Sequence, residues 1–492
     1  MELMIPLKNS EMPYYEQIYS YIREEIKRGN LKAGTRLPST RLLAEHLKVS
    51  RSTTQMAYEQ LLSEGYIESV PCRGYYIARI DELVDTGQSR GAQSPSFSGC
   101  LLQPAGQSDS CLSERESEKS QNRPQITVDF SPRGVDMDSF PFNTWRKITK
   151  NTLIDDNKEM FATGDPQGEP AFREAIRSYL HLARGVNCTA DQIIVGAGSE
   201  YLLMLLTQIL GPGLTIGMEN PTYKQAYRVF DSLGCRVVPV EMDQYGLNVS
   251  LLEESGAQTA YVMPSHQYPT GIIMPVKRRQ ELLNWAGRKE GRYLIEDDYD
   301  SEFRYKGKPI PALQGMDSRD CVIYSGTFSK SIAPAIRVSY LVLPRPLLAI
   351  YREKMGFYSS TVSRIDQNIL YQFMTGGYYE RHLNRMRAIY KIKHDTLLGA
   401  LKPLEKQFMI KGEYAGLHLL LTDRCGRSED WLVESAARAG VKVYGLSSYV
   451  IGGRCVKEPT VVLGYSRLKE EEIKEGIRLL TDAWRPAGKQ EA

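Results

Sequence analysis

The N-terminal part of the chain carries a periodic pattern of apolar residues that predicts three helices and a hairpin. Isoleucines at every fourth position predict an amphipathic helix over residues 14–28, and a second helix is predicted over residues 38–47. Ser50 is a suitable N-cap for a third helix. Residues 66–70 and 75–78 alternate between apolar and polar side chains, which predicts two paired strands. Three helices followed by a hairpin predict a winged helix-turn-helix.

The pattern then breaks off and resumes in a different form. Periodicity is lost over residues 87–122, where nine serines accompany glycine, proline and glutamine. Such a composition buries too little apolar surface to fold, so it predicts a flexible linker. We therefore expect a winged-helix domain over residues 11–79, a linker over residues 80–125 and a large domain over residues 126–486.

Apolar strand-like runs alternate with helical runs through the large domain. This alternation predicts an α/β fold built on a mainly parallel sheet. A long helix is expected over residues 380–400, within a smaller C-terminal lobe. The strand-like runs are residues 193–195, 215–218, 260–263, 294–295 and 322–324.

Charge and cysteine usage narrow the possible partners. The 492 residues carry a net charge of only +3, yet residues 27–51 hold seven lysines or arginines against the single acid Glu45. A local excess of this kind predicts contact with nucleic-acid phosphates. The eight cysteines form no C-x-x-C pair, which excludes the usual zinc spacings and favours the reducing cytoplasm. No apolar run approaches the roughly 20 residues that a bilayer requires, so we expect no membrane insertion.

One lysine lies in a turn that suits covalent chemistry. Lys330 follows an apolar strand-like run and sits among the hydroxyls of Ser325, Thr327 and Ser329, seven positions ahead of Arg337. Desolvation there would lower the pKa of the lysine and expose its free amine, which attacks aldehydes. The hydroxyls and the guanidinium suit a phosphate. An aldehyde that carries a phosphate suggests pyridoxal phosphate, although such a segment can also be a solvated loop.

A second stretch offers a partner for the ring of that cofactor. Residues 293–303 form a short apolar run that ends in an acidic cluster. Either Asp297 or Asp298 could face a pyridinium nitrogen and keep it protonated, while a neighbouring tyrosine hydroxyl bonds the ring oxygen. The alternative interpretation is a solvated or metal-binding acidic loop.

These stretches resemble the fold type I aminotransferases, in which an aspartate, a lysine and an arginine follow one another as Asp297, Lys330 and Arg337 do. Residues 196–200 resemble the phosphate-binding turn of that family, and residues 219–223 resemble its loop with a ring-stacking aromatic. Residues 265–271 resemble its Asn-Pro-Thr-Gly loop with a tyrosine in place of the asparagine, a variant associated with the MocR group of regulators. The resemblance implies pyridoxal phosphate bound as a Schiff base on Lys330. The implied cofactor-binding residues are Ser199, Glu200, Tyr223, Tyr268, Asp297, Tyr299, Thr327, Lys330 and Arg337.

The N-terminal domain resembles the GntR family of DNA-binding proteins. The resemblance rests on residues 37–44, residues 49–53 and the Arg73-Gly74 wing tip. The start of the third helix is rich in short hydrogen-bonding side chains, as in a recognition helix, although a capping serine alone would also account for it. The implied DNA-binding residues are Arg41, Ser50, Arg51, Ser52, Thr53 and Gly74.

Two positions depart from the aminotransferase pattern. Thr163 stands where the family has a tyrosine that reaches the cofactor phosphate of the partner subunit, and Val462 stands where it has the arginine for the substrate carboxylate. Arg454 and Arg467 are the two candidates to replace that arginine. We therefore expect little or no transaminase turnover.

Together the resemblances imply an α/β chain with an N-terminal winged helix-turn-helix, a linker, and a fold type I transferase domain with a smaller C-terminal lobe. They predict a cytoplasmic, homodimeric regulator that binds promoter DNA and senses an effector, either an amino compound or pyridoxal phosphate itself. The principal alternative is an active aminotransferase with an accessory DNA-binding module. A third hypothesis, a degenerate domain used only for dimerisation, is disfavoured because Asp297, Lys330 and Arg337 are all present.

Overall fold

The computed structural model describes residues 5–7, 13–32, 34–63, 66–70, 74–77, 125–154, 158–305, 311–413, 415–453 and 458–485. The chain divides into two compact units, a small unit over Met1–Gln125 and a large unit over Ile126–Ala492. The segment interpreted as a linker lies almost entirely outside the described residues, as do Arg73 and Arg454. No described helix is long and apolar enough to cross a membrane.

The small unit contains three helices and a two-stranded hairpin, as the sequence predicts. Its elements are α1 (Tyr14–Lys27), α2 (Thr40–Leu47), α3 (Arg51–Ser63), β1 (Ile67–Val70) and β2 (Gly74–Ile77). The Ser50 hydroxyl accepts a hydrogen bond from the backbone N–H of Thr53 at 3.1 Å, which confirms the predicted cap of α3. Ile18, Ile22 and Tyr58 are fully buried in its core.

The large unit is an α/β structure with eleven helices among the described residues. They are α4 (Phe142–Thr152), α5 (Pro170–Arg184), α6 (Ser199–Leu210), α7 (Lys224–Ser232), α8 (Val249–Glu254), α9 (Val276–Gly287), α10 (Arg345–Lys354), α11 (Arg364–Thr375), α12 (Tyr378–Leu401), α13 (Glu429–Arg438) and α14 (Glu470–Ala483). The predicted long C-terminal helix corresponds to α12.

The strands of the large unit form two main sheets. They are β3 (Val128–Asp129), β4 (Ile193–Gly196), β5 (Thr215–Asn220), β6 (Arg236–Asp243), β7 (Gly246–Leu247), β8 (Thr259–Val262), β9 (Tyr293–Asp298), β10 (Val322–Thr327), β11 (Ser339–Val342), β12 (Phe408–Lys411), β13 (His418–Asp423), β14 (Val441–Lys442), β15 (Tyr444–Gly445) and β16 (Thr460–Gly464). All five predicted strand-like runs correspond to strands, and only the run over residues 260–263 extends beyond its strand, by the single residue Met263.

The larger sheet has the order β4-β11-β10-β9-β8-β5-β6-β7. Strands β10, β9, β8, β5 and β6 are parallel to their neighbours in that series, whereas β11 is antiparallel to both β10 and β4. The sheet is therefore mainly parallel, as predicted. A second, antiparallel sheet with the order β12-β13-β16-β15 forms the smaller C-terminal lobe.

Candidate functional site

The ends of two parallel strands bring the predicted chemistry together. Asp297 at the end of β9 pairs in register with Ser325 of β10, and Lys330 follows three residues after β10 ends. Because the carboxyl ends of parallel strands meet at one edge of a sheet, the carboxylate and the lysine lie at the same edge.

Lys330 is a partly buried amine with few partners. Its Nζ donates to the carbonyl oxygen of Pro132 at 3.3 Å. Burial lowers the pKa of Lys330 from 10.5 to about 8, the carboxylate of Asp300 opposes that change, and the positive charge of Arg133 adds to it. A pKa near 8 leaves a useful fraction of the free amine at neutral pH.

The two candidate aspartates have different environments. The Asp298 carboxylate accepts from Nε of Arg184 at 2.7 Å and from the Tyr324 hydroxyl at 2.6 Å, and both members of the ion pair are buried. Asp297 accepts a hydrogen bond from the Tyr261 hydroxyl and has no cationic partner among the described residues. Burial raises the pKa of Asp297 to about 7. Asp298 is therefore committed to an ion pair, and Asp297 is the carboxylate left for a ligand.

The start of α6 and the side chain of Arg337 lie next to each other. Gly198 caps α6 with a φ of +93°, and no side chain caps the helix there. A Cβ on Gly198 would lie 2.5 Å from Nη2 of Arg337, so the turn and the guanidinium are in direct apposition. Arg337 also pairs with Glu200 at 2.7 Å. Backbone N–H groups at a helix start beside an arginine suit a phosphate, to which Ser199 and Glu200 would donate through their backbones.

The predicted aromatic residues form one wall of the site. Tyr223 meets Tyr268 edge to face with ring centroids 6.0 Å apart, and Tyr268 meets Tyr299 in the same way at 5.8 Å. The Tyr268 hydroxyl donates to the Tyr449 hydroxyl at 3.2 Å. Thr327 lies apart from this wall, where its hydroxyl accepts from the backbone N–H of Ser329 at 3.1 Å.

A buried polar cluster beside Tyr299 was not predicted from the sequence. Nδ1 of His266 lies 2.9 Å from an Asp300 oxygen and 3.0 Å from the Tyr299 hydroxyl. Nε2 of His266 is buried and has no hydrogen-bond partner in the structure. Both His266 and Asp300 fall inside the motifs quoted above, but only the fold brings them together.

Positions where the sequence departs from the aminotransferase pattern have distinct environments. Thr163 is exposed, and Val462 is fully buried in β16 within the same apolar cluster that Tyr223 and Tyr299 contact. Of the two suggested replacement arginines, Arg454 lies outside the described residues. Arg467 is exposed just beyond β16. Among the described residues no group of histidines, cysteines and carboxylates is arranged to hold a metal ion.

In the small unit, four of the six predicted DNA-binding residues, Ser50, Arg51, Ser52 and Thr53, lie at or next to the start of α3, whereas Arg41 is on α2. Arg41, Arg51 and Lys48 line one open depression. Arg41 is exposed and pairs loosely with Glu45 at 3.2 Å. Ser52, at the exposed start of α3, and Thr53 both contact the hydroxyl of Ser50, at 2.7 and 2.8 Å. Gly74 begins β2, which follows the undescribed wing tip.

Comparison with known proteins matches both units to families. The model for bacterial regulatory proteins of the gntR family matches residues 14–77, and that for class I and II aminotransferases matches residues 135–447. The uncharacterized HTH-type transcriptional regulator YdeL of Bacillus subtilis is 38% identical, over 96% of this chain and 97% of its own. The probable rhizopine catabolism regulatory protein MocR of Rhizobium meliloti is 31% identical, over 97% and 95%. The chain belongs to the MocR-type regulators of the GntR family.

Among solved structures, this MocR-type chain is similar to the kynurenine aminotransferase of Pyrococcus horikoshii. The two are 25% identical with a TM-score of 0.64, over 73% of this chain and 90% of the other. The resemblance to fold type I aminotransferases and to GntR proteins drawn from the sequence is thus confirmed, and the large unit has the aminotransferase fold.

Proposed function

We propose that this protein is a DNA-binding transcription regulator that holds pyridoxal phosphate on Lys330 and uses it to sense a small molecule. The observation that carries the proposal is the convergence of Lys330, Asp297 and Arg337 on one edge of the large sheet, in a chain that also contains a winged helix. We further propose that it works in the cytoplasm as a homodimer joined through the large unit, so that two winged helices read paired half-sites.

The donor groups fit this cofactor one by one. When bound, pyridoxal phosphate supplies an electrophilic aldehyde and an electron-withdrawing ring. Lys330 would offer the amine for the aldehyde, the Asp297 carboxylate would hold the proton of the ring nitrogen, and the start of α6 with Arg337 would bind the phosphate. Tyr223 and Tyr268, whose rings are in contact, would line the ring and shield it from water.

Proton positions at the site follow from its buried groups. Burial raises the pKa of Asp297 to about 7, so its carboxyl group is close to half protonated at neutral pH. A bound ring cation would lower this pKa and favour the ionised carboxylate, because a neighbouring positive charge stabilises the negative form. Nδ1 of His266 lies within hydrogen-bond distance of both the Asp300 carboxylate and the Tyr299 hydroxyl, and these contacts hold the hydroxyl in place. We propose that the Tyr299 hydroxyl bonds the ring oxygen of the cofactor.

The DNA-binding function rests on the cationic start of α3. Arg41 and Arg51 are exposed and line the same depression as Lys48, so one face offers three positive charges to phosphates and base edges. Arg36 lies beside Gly74, 3.7 Å from the position that a Cβ there would occupy, and adds a fourth charge near the wing.

Sensing rather than turnover is favoured by two positions. Val462 offers no charge to a carboxylate, and Thr163 is too short to reach a partner subunit's phosphate. Misplacement of a substrate alone can lower a rate about 100-fold. The competing function is an active aminotransferase, and sustained turnover of an amino acid with a 2-oxo acid would support it.

The test is covalent capture of the cofactor at a single lysine. Purified protein is loaded with pyridoxal phosphate, reduced with borohydride, digested and analysed by mass spectrometry. The modification should be found on the peptide that contains Lys330, should be absent from Lys330→Ala, and should persist in the control Lys354→Ala, which changes an exposed lysine on α10. Capture elsewhere, or none in the wild type, contradicts the proposal.

A further inference from the structure

The carboxylate-binding arginine of aminotransferases is missing from β16, yet another arginine lies at the same site. The turn formed by residues 131–134 runs along the end of β16. Gly464 donates its backbone N–H to the carbonyl of Phe130 at 2.9 Å, and the Ser466 hydroxyl donates to the carbonyl of Gly134 at 2.8 Å. These two bonds fix both ends of the turn that carries Arg133.

The close approach of this turn depends on a glycine. A Cβ on Gly464 would lie 2.3 Å from Cα of Pro132, closer than any real side chain could approach. The absence of a side chain two residues after Val462 therefore lets the turn cross the strand and bring Pro132 to Lys330, whose Nζ donates to its carbonyl oxygen at 3.3 Å. Arg133 is the next residue along the chain.

The charge of Arg133 acts on the groups that line the site. Burial raises the pKa of the Tyr268 hydroxyl, and a hydrogen bond with Arg133 opposes the rise. Burial raises the pKa of Tyr223 to about 12, and both Arg133 and Arg337 oppose that rise. The positive charges of Arg133 and Arg337 therefore both act on the aromatic residues that form one wall of the site.

Arg133 differs from two other arginines near the site in its charge partners. Arg184 is committed to Asp298, and Arg337 is paired with Glu200 beside the start of α6. Among the described residues Arg133 makes no ion pair, and its side chain is exposed. The site therefore offers two anion positions, one at the phosphate turn and one at Arg133.

We propose that Arg133 binds the carboxylate of the effector, and that the effector is an amino acid whose amine is directed at Lys330. This inference rests on the proposed function, because the cofactor on Lys330 is what selects an amine. It assigns to an N-terminal turn the role that the arginine of β16 has in aminotransferases, and it identifies Arg133 as a specificity-determining residue.

The test compares amino acids with amines that lack the carboxylate. Alanine and β-alanine are each titrated against ethylamine, and glycine against methylamine, while the absorbance of the bound cofactor is followed in wild type, Arg133→Gln, Arg133→Lys and the control Arg467→Gln. Because a charge-assisted bond to a carboxylate is lost, wild type should bind at least one acid about 10- to 100-fold more tightly than its amine. Arg133→Gln should abolish that preference with amine binding unchanged, and Arg133→Lys should retain part of it.

The outcomes separate this inference from the proposed function. If wild type captures the cofactor on Lys330 but prefers no acid over its amine, or if Arg133→Gln keeps the preference, Arg133 is not the carboxylate-binding residue. Loss of the preference in Arg467→Gln would assign the carboxylate to Arg467 instead. Failure of wild type to capture the cofactor at all would overturn the proposed function and this inference together.

Discussion

The carboxylate of Asp298 accepts from Nε of Arg184 at 2.7 Å, and this buried ion pair decides which of two adjacent aspartates is left for a ligand. Neighbouring residues on a strand point to opposite faces, so only one of Asp297 and Asp298 can face the site. Arg184 ends α5 and also donates to the Ser265 hydroxyl at 2.6 Å. Asp298 therefore links α5 and the loop of Ser265 to the sheet through Arg184, which supports the proposal that Asp297 is the residue that pairs with the pyridinium nitrogen.

Substitutions at the two aspartates should consequently have different effects. Asp298→Asn leaves Arg184 buried without its counter-charge, which typically costs about 3 to 5 kcal/mol, so thermal unfolding of the cofactor-free protein should occur at a clearly lower temperature. Asp297→Asn should leave that temperature unchanged or higher but should weaken cofactor binding, measured by absorbance titration.

The pH dependence of stability provides a check on Asp297. Its pKa is raised on folding, from 3.8 to about 7, so the unfolded chain releases this proton at lower pH than the folded chain does. The stabilising contribution is complete below pH 3.8 and is lost as pH rises through 7. Asp297→Asn should remove this part of the pH dependence, and an unchanged profile in the variant would contradict the assignment.

The depressed pKa of Lys330 predicts the pH at which the cofactor is captured. With a pKa of about 8 the amine is roughly 10% unprotonated at pH 7, against about 0.03% for an ordinary lysine. The rate of capture, sampled by borohydride quenching, should rise with pH and level off above pH 8 to 9. In Arg133→Gln the midpoint should move upward, because a positive neighbour is removed. A rate still rising steeply at pH 10 would contradict the burial of Lys330.

The phosphate turn can be tested with a matched pair of glycines at the two ends of α6. Gly198 and Gly211 both have a φ of +93°, so alanine at either position introduces similar backbone strain. Only at Gly198 would the new Cβ approach Arg337, at 2.5 Å, whereas nothing lies within 4 Å at Gly211. Gly198→Ala should therefore weaken cofactor binding at least tenfold more than Gly211→Ala does. Equal effects would place the phosphate elsewhere.

Arg51 should contribute to specific DNA recognition. Arg51→Ala should weaken binding to the promoter site by about 1 to 3 kcal/mol if the guanidinium contacts a base, with cofactor content unchanged. Arg288→Ala, which removes an exposed charge at the end of α9 in the large unit, is the control and should have a much smaller effect. If Arg51→Ala weakens binding to random DNA equally, Arg51 contacts a phosphate rather than a base.

Much of the fold could be predicted from the sequence because its signals are local. Short stretches of sequence are enough to identify the apolar runs, the Ser50 cap and the motifs that contain Asp297 and Lys330. Contacts between distant segments of the chain could not be predicted in this way. The commitment of Asp298 to Arg184 joins residues 114 positions apart, and the contact of Pro132 with Lys330 joins residues 198 positions apart.

Arg133 illustrates why the site was only partly predicted. Its segment has no chemical motif, and the role proposed for it depends on Gly464 of β16, where the lack of a side chain lets the turn at residues 131–134 cross the strand. The sequence indicated that a carboxylate-binding arginine was missing at Val462 and suggested Arg454 or Arg467, which are near in sequence. Arg133, which we propose for this role, lies far from Val462 in the sequence, and β16 and the turn at residues 131–134 are brought together only by the tertiary fold.

The proposed function makes Lys330 the residue through which pyridoxal phosphate affects DNA binding, and one affinity measurement tests this central claim most directly. Binding of a fluorescent promoter fragment is compared for wild type and Lys330→Ala, each with and without pyridoxal phosphate. A ligand shifts only states that it binds unequally, so the cofactor should change the DNA affinity of wild type and leave that of Lys330→Ala unaltered. Identical affinities under all four conditions would contradict the account.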